Sequence, residues 1–279
     1  MIRVEQSGET LQLLPEKAVF WPRRRTLFVA DTHFGKDAHF RRAGIPIPAG
    51  PSCGDLERLG AIVDGFAAER LIVLGDFLHA DPDPAEPFLE AFRAWRGRRC
   101  ALDMAAVIGN HDRHGAVSRL GEALRWLDDS RVEGPFVLRH EPEASPDGYV
   151  LAGHLHPVIR LRGPGGDRLR LPVFWFARRF AVLPSFGSFT GGHAIRLGTG
   201  DRVFAAGPDG VVDVGAVDLS QAVHLRHVSG TRRWPGLLSA VLASALVQLL
   251  LAKGCASVRR RRDRHAGSLD AVVVAGRHR

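Results

Sequence analysis

Cysteine is scarce in this sequence. The 279 residues include only three, Cys53, Cys100 and Cys255, and no two of them form a Cys-x-x-Cys pair. Their spacing excludes a disulfide framework and a metal site built on thiolates, and it predicts reduced thiols in a cytoplasmic protein. The N-terminus also lacks the pattern of a secretory signal peptide, which agrees with that expectation.

A long hydrophobic run is also lacking. Residues 237–252 are apolar except for Ser and Gln, and the arginines 259–262 follow them. A membrane span takes about 17–25 apolar residues, so this run is at the lower limit. We expect residues 220–279 to be a C-terminal apolar and basic extension, with 237–252 a helix packed on the rest of the chain or on a partner. The alternatives are a weak membrane anchor with a basic flank and a terminus without a fixed role.

Excess positive charge is absent from the first 219 residues. The whole chain has 38 Lys and Arg against 30 Asp and Glu, a formal charge of +8. Eleven of those basic residues but only two of the acidic ones lie in 220–279, so residues 1–219 hold 27 and 28, a net charge of −1. The net charge of residues 1–219 does not predict a polyanion-binding surface. If the substrate is a nucleic acid, we expect this part of the chain to make few contacts to the phosphate backbone.

Five short apolar runs each end in residues that commonly bind metal ions. The runs cover residues 26–30, 71–74, 104–108, 135–139 and 149–152. The polar residues that follow them are Asp31 and His33, Asp76, Asn110 and His111, His140, and His154 and His156. Strand ends that share one edge of a sheet bring such side chains together, so we expect a single cluster. Strand alternation would turn Asp31 and His33 to the same side.

The order of helices and strands predicts an α/β fold. Amphipathic helices are expected at residues 54–69 and about 85–97, between the first three of these strands. This β-α-β-α-β order favours a sheet with right-handed crossovers. Residues 1–20 resemble a hairpin, and a further helix is expected at about 115–126. Short runs from 158 to 214, separated by Gly or Pro turns, indicate a second, more antiparallel sheet packed on the first.

The residue types in the cluster suit two divalent metal ions. Asp, Asn and His without cysteine favour manganese, iron or zinc, and eight candidate residues are too many for one tetrahedral ion. Two neighbouring ions need an anion between them, and Asp76, a lone carboxylate after a central strand, is the best candidate. A bridging hydroxide would be the second anion and the nucleophile for attack on phosphorus. We expect His111 to protonate the leaving oxygen or stabilise charge on it.

The ordered motifs Asp-x-His, Gly-Asp, Gly-Asn-His-Asp, His and Gly-His-x-His resemble the binuclear, calcineurin-like metallophosphoesterase superfamily over about residues 26–190. The resemblance implies a four-layer α-β-β-α sandwich within a domain of residues 1–219, and it implies that His111 is the catalytic histidine. It implies a first metal ion bound by Asp31, His33, Asp76 and His156. It implies a second metal ion bound by Asp76, Asn110, His140 and His154.

Further motifs resemble the bacterial ligase-associated DNA damage response endonuclease family. They lie at residues 30–36, 40–46, 75–79, 139–142 and 183–192. This resemblance implies a manganese-dependent phosphodiesterase that cuts single-stranded DNA during DNA repair. It also implies a setting near an ATP-dependent DNA ligase, a helicase and an exonuclease. The resemblance ends near residue 219, before the apolar and basic extension.

Four side chains near these motifs are candidates for holding a phosphate of the substrate: Lys36, His39, Arg41 and His79. For each of them the alternative is a surface salt bridge or a loop cap. The same two-metal chemistry would serve a small-molecule phosphatase or nucleotide phosphodiesterase, which is the second hypothesis. A third hypothesis is a metal-dependent assembly protein without catalytic activity.

Overall fold

A seven-stranded sheet, with its strands side by side in chain order, positions most of the predicted cluster. The computed structural model describes residues 1–83, 86–112, 120–162 and 168–215. The strands of this first sheet are β1 (Ile2–Gln6), β2 (Glu9–Leu14), β3 (Ala18–Trp21), β4 (Thr26–Val29), β5 (Arg70–Leu74), β6 (Asp103–Val107) and β7 (Arg125–Leu127). Neighbours are antiparallel from β1 to β4 and parallel from β4 to β7. The parallel strands therefore all end at one edge of the sheet.

Helices cover one face of this sheet. The described residues contain α1 (Lys36–Arg42), α2 (Pro51–Gly65) and α3 (Pro87–Gly97), and 3₁₀ turns at Pro22–Arg24 and Gly121–Ala123. Both α2 and α3 begin with proline at the first turn, where its missing N–H leaves no intrahelical bond unmade. Leu59 of α2 and Phe92 of α3 are fully buried against Val73 and its neighbours. Burial of such side chains contributes about 1.5–3 kcal/mol each.

The expected helix at about 115–126 is wrong in its last part. Residues 125–127 form β7, which pairs in parallel with Ala105–Val107 of β6. Trp126 packs on the helical side of the sheet and Leu127 on the opposite side, which is the alternation of a strand. Residues 113–119 lie outside the described part of the chain, so the beginning of the expected helix stays a prediction.

A second sheet packs on the other face of the first. Its strands are β8 (Arg131–Glu133), β9 (Phe136–Leu138), β10 (Tyr149–Ala152), β11 (Pro157–Arg162), β12 (Arg168–Phe176), β13 (Phe180–Val182), β14 (His193–Ala194), β15 (Arg202–Gly207) and β16 (Gly210–Asp213). The strands β9, β10 and β13 run parallel, whereas β8, β12, β15 and β16 join by antiparallel pairing. Phe28 and Leu74 share one buried core with Phe136 and Leu151. The expected second sheet exists, and it is mixed.

The predicted α/β class is confirmed. Helices, first sheet and second sheet form successive layers, and no described helix joins the apolar clusters on the outer face of the second sheet. In the described part of the chain, no helix is long and apolar enough to cross a membrane. The boundary at 219, the extension 220–279 and its segment 237–252 lie outside the described residues and stay predictions.

Candidate metal centre

Loops at the ends of five parallel strands bring the predicted ligands together. The strands are β4, β5 and β6 of the first sheet and β9 and β10 of the second. Their loops carry, in chain order, Asp31 and His33, Asp76, Asn110 and His111, His140, and His154 and His156. The backbone N–H of His154 donates to both oxygens of Asp31, at 3.0 and 2.9 Å, and so joins loops from different sheets. The cluster therefore sits where the carboxyl ends of both sheets meet.

One group of candidate ligands contains Asp31, His33 and His156, whose ligand atoms lie within 4.8 Å of one another. His33 Nε2 and His156 Nε2 are 3.2 Å apart, and His156 Nε2 lies 3.7 Å from Asp31 Oδ2. Burial lowers the pKa of His33, and the neighbouring His156 lowers it further. The His33 ring is thus a neutral base, and its Nε2 converges with that of His156, which is how imidazoles bind a metal ion.

A second group contains Asp76, His140 and His154, with Asn110 beside them. Asn110 Oδ1 lies 2.8 Å from His140 Nε2 and 3.1 Å from His154 Nδ1, and these two nitrogens are 3.0 Å apart. His140 Nδ1–H donates to the carbonyl oxygen of Leu74 at 3.3 Å, which turns Nε2 into the group. Nitrogen and oxygen lone pairs therefore converge on one point, as a divalent ion requires.

Asp76 lies between the two groups. Its Oδ2 is 3.7 Å from His33 Nε2 and its Oδ1 is 3.5 Å from His140 Nε2. Burial raises the pKa of Asp76, against the opposing effect of His140. Among the described residues, no Lys or Arg forms an ion pair with Asp76 or with the fully buried Asp31. Buried carboxylates that pair with no described Lys or Arg fit a pair of divalent cations, with Asp76 able to reach both.

The backbone of the cluster is strained. Asp31, His33, Asp76, His154 and His156 have φ angles of 51°, 46°, 49°, 68° and 45°. This left-handed region costs a residue other than glycine about 1–3 kcal/mol and persists where the surrounding structure imposes it. Five of the ten such residues in the described part of the chain are candidate ligands, and the contacts of the cluster fix their backbone.

The strand alternation expected for Asp31 and His33 is wrong, although the two side chains do converge. β4 ends at Val29, and left-handed turns, not a pleated strand, aim both side chains at the same group. A related constraint acts at Gly75, where φ is 81° and a Cβ atom would overlap the ring of His140. Only glycine allows both this turn and this approach.

His111 lies beside the first two groups. Its backbone N–H donates to Asp76 Oδ1 at 2.9 Å, and its Nδ1–H donates to the carbonyl oxygen of His79 at 2.8 Å. The ring nitrogen left for chemistry is Nε2. His33, His79 and His111 also have ring nitrogens within 4.8 Å of one another, but this third group has no carboxylate and suits a divalent ion least.

The four candidates for phosphate binding differ in their surroundings. His39 is exposed on α1, and its ring centroid lies 5.2 Å from that of His79. The His79 ring stacks on His111 with centroids 4.9 Å apart, and burial, followed by nearby Lys36, lowers its pKa to about 4. Burial also lowers the pKa of Lys36, the first residue of α1. Arg41 pairs with Asp37 at 3.1 Å and donates to the carbonyl oxygen of Pro48 at 3.2 Å. The salt-bridge alternative thus describes the position of Arg41, whereas Lys36 and His79 lie closer to the cluster.

Two residues that support the cluster were missed by the sequence reasoning. Asp112 is buried, and it accepts hydrogen bonds from the backbone N–H groups of Phe77, Leu78 and Gly109 at 3.2, 2.9 and 3.0 Å. The signal was its position in the motif Gly109-Asn110-His111-Asp112, in which only Asn110 and His111 were predicted to be functional. Ser185 Oγ donates to the carbonyl oxygen of Asp31 at 2.8 Å and so connects the stretch 183–192 to the first group.

The chain is similar to known phosphoesterases. The family model for calcineurin-like phosphoesterases matches residues 24–178, which contain every candidate ligand. Pseudomonas putida nuclease MPE is 39% identical, with a TM-score of 0.66, over 76% of this chain and 99% of its own. Yfce, a phosphoesterase from E. coli, is 14% identical, with a TM-score of 0.33, over 67% of this chain and 90% of its own. No curated protein matches the chain.

Proposed function

The chain belongs to the calcineurin-like phosphoesterase family and is a metal-dependent phosphoesterase, and we propose that it cuts phosphodiester bonds within single-stranded DNA. One observation carries the two-metal chemistry, namely that the oxygens of Asp76 face two separate groups of ligand atoms. The choice of a nucleic acid is supported by the similarity to a nuclease over nearly the whole of that nuclease's chain.

We assign the candidate ligands to two ions that share Asp76. Asp31, His33 and His156 complete the first set, and Asn110, His140 and His154 complete the second. Two divalent ions, when bound here, supply the nucleophile by lowering the pKa of a water and neutralise charge on the phosphoryl oxygens. We propose manganese for both positions, with iron or zinc as alternatives, because oxygen and imidazole donors without sulfur suit all three.

His111 is assigned to the leaving group. The bond from Nδ1–H to the His79 carbonyl fixes the ring plane, and the bond from the backbone N–H to Asp76 fixes the chain. A proton on Nε2 would pass to the oxygen that departs as the phosphodiester breaks, a step that typically contributes a factor of about 10²–10⁴ in rate. We propose that Lys36 and His79, which is neutral at pH 7 because burial and Lys36 lower its pKa to about 4, hold the phosphate.

An open surface next to α1 favours a polymeric substrate. A shallow depression of about 570 Å³ is lined by Arg41, Gly44, Ile45, Pro46, Ile47 and Pro48. A strand that passes the metal centre could continue over this surface, whereas a small phosphate ester would not need it. The small-molecule phosphatase remains the second candidate, because attack on phosphorus is common to both. We propose that the protein acts in DNA repair in the cytoplasm, in a pathway shared with an ATP-dependent DNA ligase, a helicase and an exonuclease.

Cleavage of circular single-stranded DNA by the full chain tests this function. A circle has no ends, so its conversion to linear fragments with Mn²⁺ requires an endonuclease. We expect fragments from the wild-type protein and at most traces from His111→Ala. Hydrolysis of bis-p-nitrophenyl phosphate but not of the circle would contradict the DNA substrate and favour the small-molecule candidate.

A further inference from the structure

An exposed pair of aromatic rings lies next to the metal centre. Phe40 of α1 is partly buried, and Phe189 is 38% exposed although it is apolar. Their ring centroids are 5.8 Å apart, and the rings meet edge to face. Neither residue has a role in the two-metal chemistry.

A row of stacked rings connects this pair to His111. Phe40 stacks on His79 with centroids 5.9 Å apart and an interplanar angle of 21°. His79 stacks on His111 at 4.9 Å and 24°. Phe40 is therefore only two ring contacts away from the residue assigned to the leaving oxygen. A base attached next to the reacting phosphate would therefore be close enough to contact Phe40.

The loop that carries Phe189 is held by several side-chain hydrogen bonds. The backbone N–H and the Oγ of Ser188 both donate to Asp55 Oδ2, at 2.7 and 3.0 Å. Thr190 Oγ1 donates to the carbonyl oxygen of Gly187 at 2.8 Å. Ser185 is bonded to Asp31, so the same loop is fixed to a candidate metal ligand. An aromatic ring presented in this way loses little conformational freedom when it binds a ligand.

The charge around the rings suits a phosphate backbone. Lys36 Nζ lies 5.9 Å from the centroid of Phe40, and Lys36 forms no ion pair with any residue that the structure describes. Arg41 and Arg42, in contrast, pair with Asp37 and Glu86 at 3.1 and 3.2 Å. Lys36 is thus the cation of α1 that remains available to a ligand beside the rings.

We propose that Phe40 and Phe189 form a stacking platform for a nucleobase next to the cleaved phosphodiester. The platform is defined as these two rings, and the inference rests on the proposed nuclease function. Stacking on aromatic side chains accepts every base, because each base has a flat π face. Bases in a duplex already stack on one another, so their faces are not available to the platform. It therefore selects unpaired strands without reading their sequence.

Leucine at position 40 tests the platform, because it keeps apolar volume but removes the flat face. The substrate is an oligonucleotide with one cleavable phosphodiester among methylphosphonate linkages, prepared with bases or with abasic sites beside that bond. We expect Phe40→Leu to raise the KM for the base-containing strand about five- to a hundredfold, with kcat changed less than threefold. The factor by which Phe40→Leu raises the KM should be at least fivefold smaller for the abasic strand.

Matched variants separate stacking from a general loss of structure. Phe40→Trp should restore the wild-type KM, and Phe189→Leu should act in the same direction as Phe40→Leu. Leu197→Ala, which truncates another exposed apolar side chain, should leave the KM unchanged. Thermal unfolding of each variant shows whether it is folded. If both variants are folded, a KM of Phe40→Trp as high as that of Phe40→Leu would overturn the proposal.

The test also distinguishes the platform from the function on which it rests. If the wild-type protein cleaves the base-containing strand and Phe40→Leu has the same KM as the wild type, the platform alone is overturned. The two rings would then only pack on each other. Hydrolysis of a small diester without cleavage of either oligonucleotide by the wild-type protein would overturn the nuclease function and the platform together.

Discussion

The backbone N–H of His111 donates a 2.9 Å hydrogen bond to Oδ1 of Asp76. The carboxylate that faces both groups of candidate ligands therefore also fixes the chain that carries the candidate catalytic ring. This connection is made through the backbone of His111, so its side chain can be removed without breaking it. Metal binding and proton transfer can thus be tested separately.

Replacement of His111 by alanine is expected to lower kcat about 10²–10⁴-fold and to leave two metal ions bound, because the ring is outside both ligand sets. Metal content by mass spectrometry and steady-state kinetics on single-stranded DNA measure the two effects. His193→Ala, which removes an exposed ring from β14, is the control and should keep wild-type kinetics. Loss of a metal ion from His111→Ala would instead make this ring a ligand.

Replacement of Asp76 by asparagine is expected to abolish binding of both ions. The amide keeps the shape of the side chain but removes its charge and one of its two acceptor oxygens. The wild-type melting temperature should rise with Mn²⁺ because a ligand that binds the folded state stabilises it. The variant should show no such rise. Without metal, the variant should be at least as stable as the wild type, because it no longer buries an unpaired carboxylate. Retention of two bound ions would contradict the shared position of Asp76.

Replacement of Asp112 by asparagine tests the support of the Asp76 loop. An amide has one acceptor oxygen, and its NH₂ group would face backbone N–H donors, so at least one of three hydrogen bonds is lost. We expect a loss of about 1–3 kcal/mol in the free energy of unfolding. Metal affinity should fall about 10–100-fold, as for other residues that orient ligands. Urea denaturation and metal titration measure both, and Asp209→Asn, at an exposed residue between β15 and β16, should change neither.

The pH dependence of stability is expected to change in Lys17→Met. Burial, and next the charge of Arg58, lower the pKa of Lys17 from 10.5 to about 8, while Asp55 opposes them. The unfolded chain then holds more protons between pH 8 and 10.5, so this group makes the free energy of unfolding rise with pH there.

The methionine variant should lack that rise. At pH 7 it should be more stable by about 1–2 kcal/mol, a value reduced from the full pKa difference because the side chain is partly exposed. The loss of the bond from Lys17 Nζ to the carbonyl oxygen of Gly187 at 3.3 Å offsets part of this gain. Urea denaturation from pH 7 to 10.5 measures how the free energy of unfolding changes with pH. Equal slopes in the wild type and in Lys17→Met would contradict a lowered pKa of Lys17.

The amino-acid sequence by itself determined the chemistry of this protein. Apolar runs predicted the central parallel strands, and a polar residue at the end of each run predicted the cluster that the structure brings together. These signals are local, because a strand and the residue after it are neighbours in the chain. The short run at 125–127 was misjudged, because its pairing with β6 is not visible in its own residues.

Only the tertiary structure decided what holds the cluster together and what aims its side chains. His154 bonds to Asp31 across 123 residues of sequence, and Asp112 joins the loops after β5 and β6. Left-handed turns aim Asp31 and His33, and rings distant in sequence form the row from His111 to Phe40. The physical reason is that hydrogen bonds and ring contacts act over a few ångströms. Side chains far apart in sequence can meet only after the strands of the first sheet have paired and, for His154 and Asp31, after the second sheet has packed on the first.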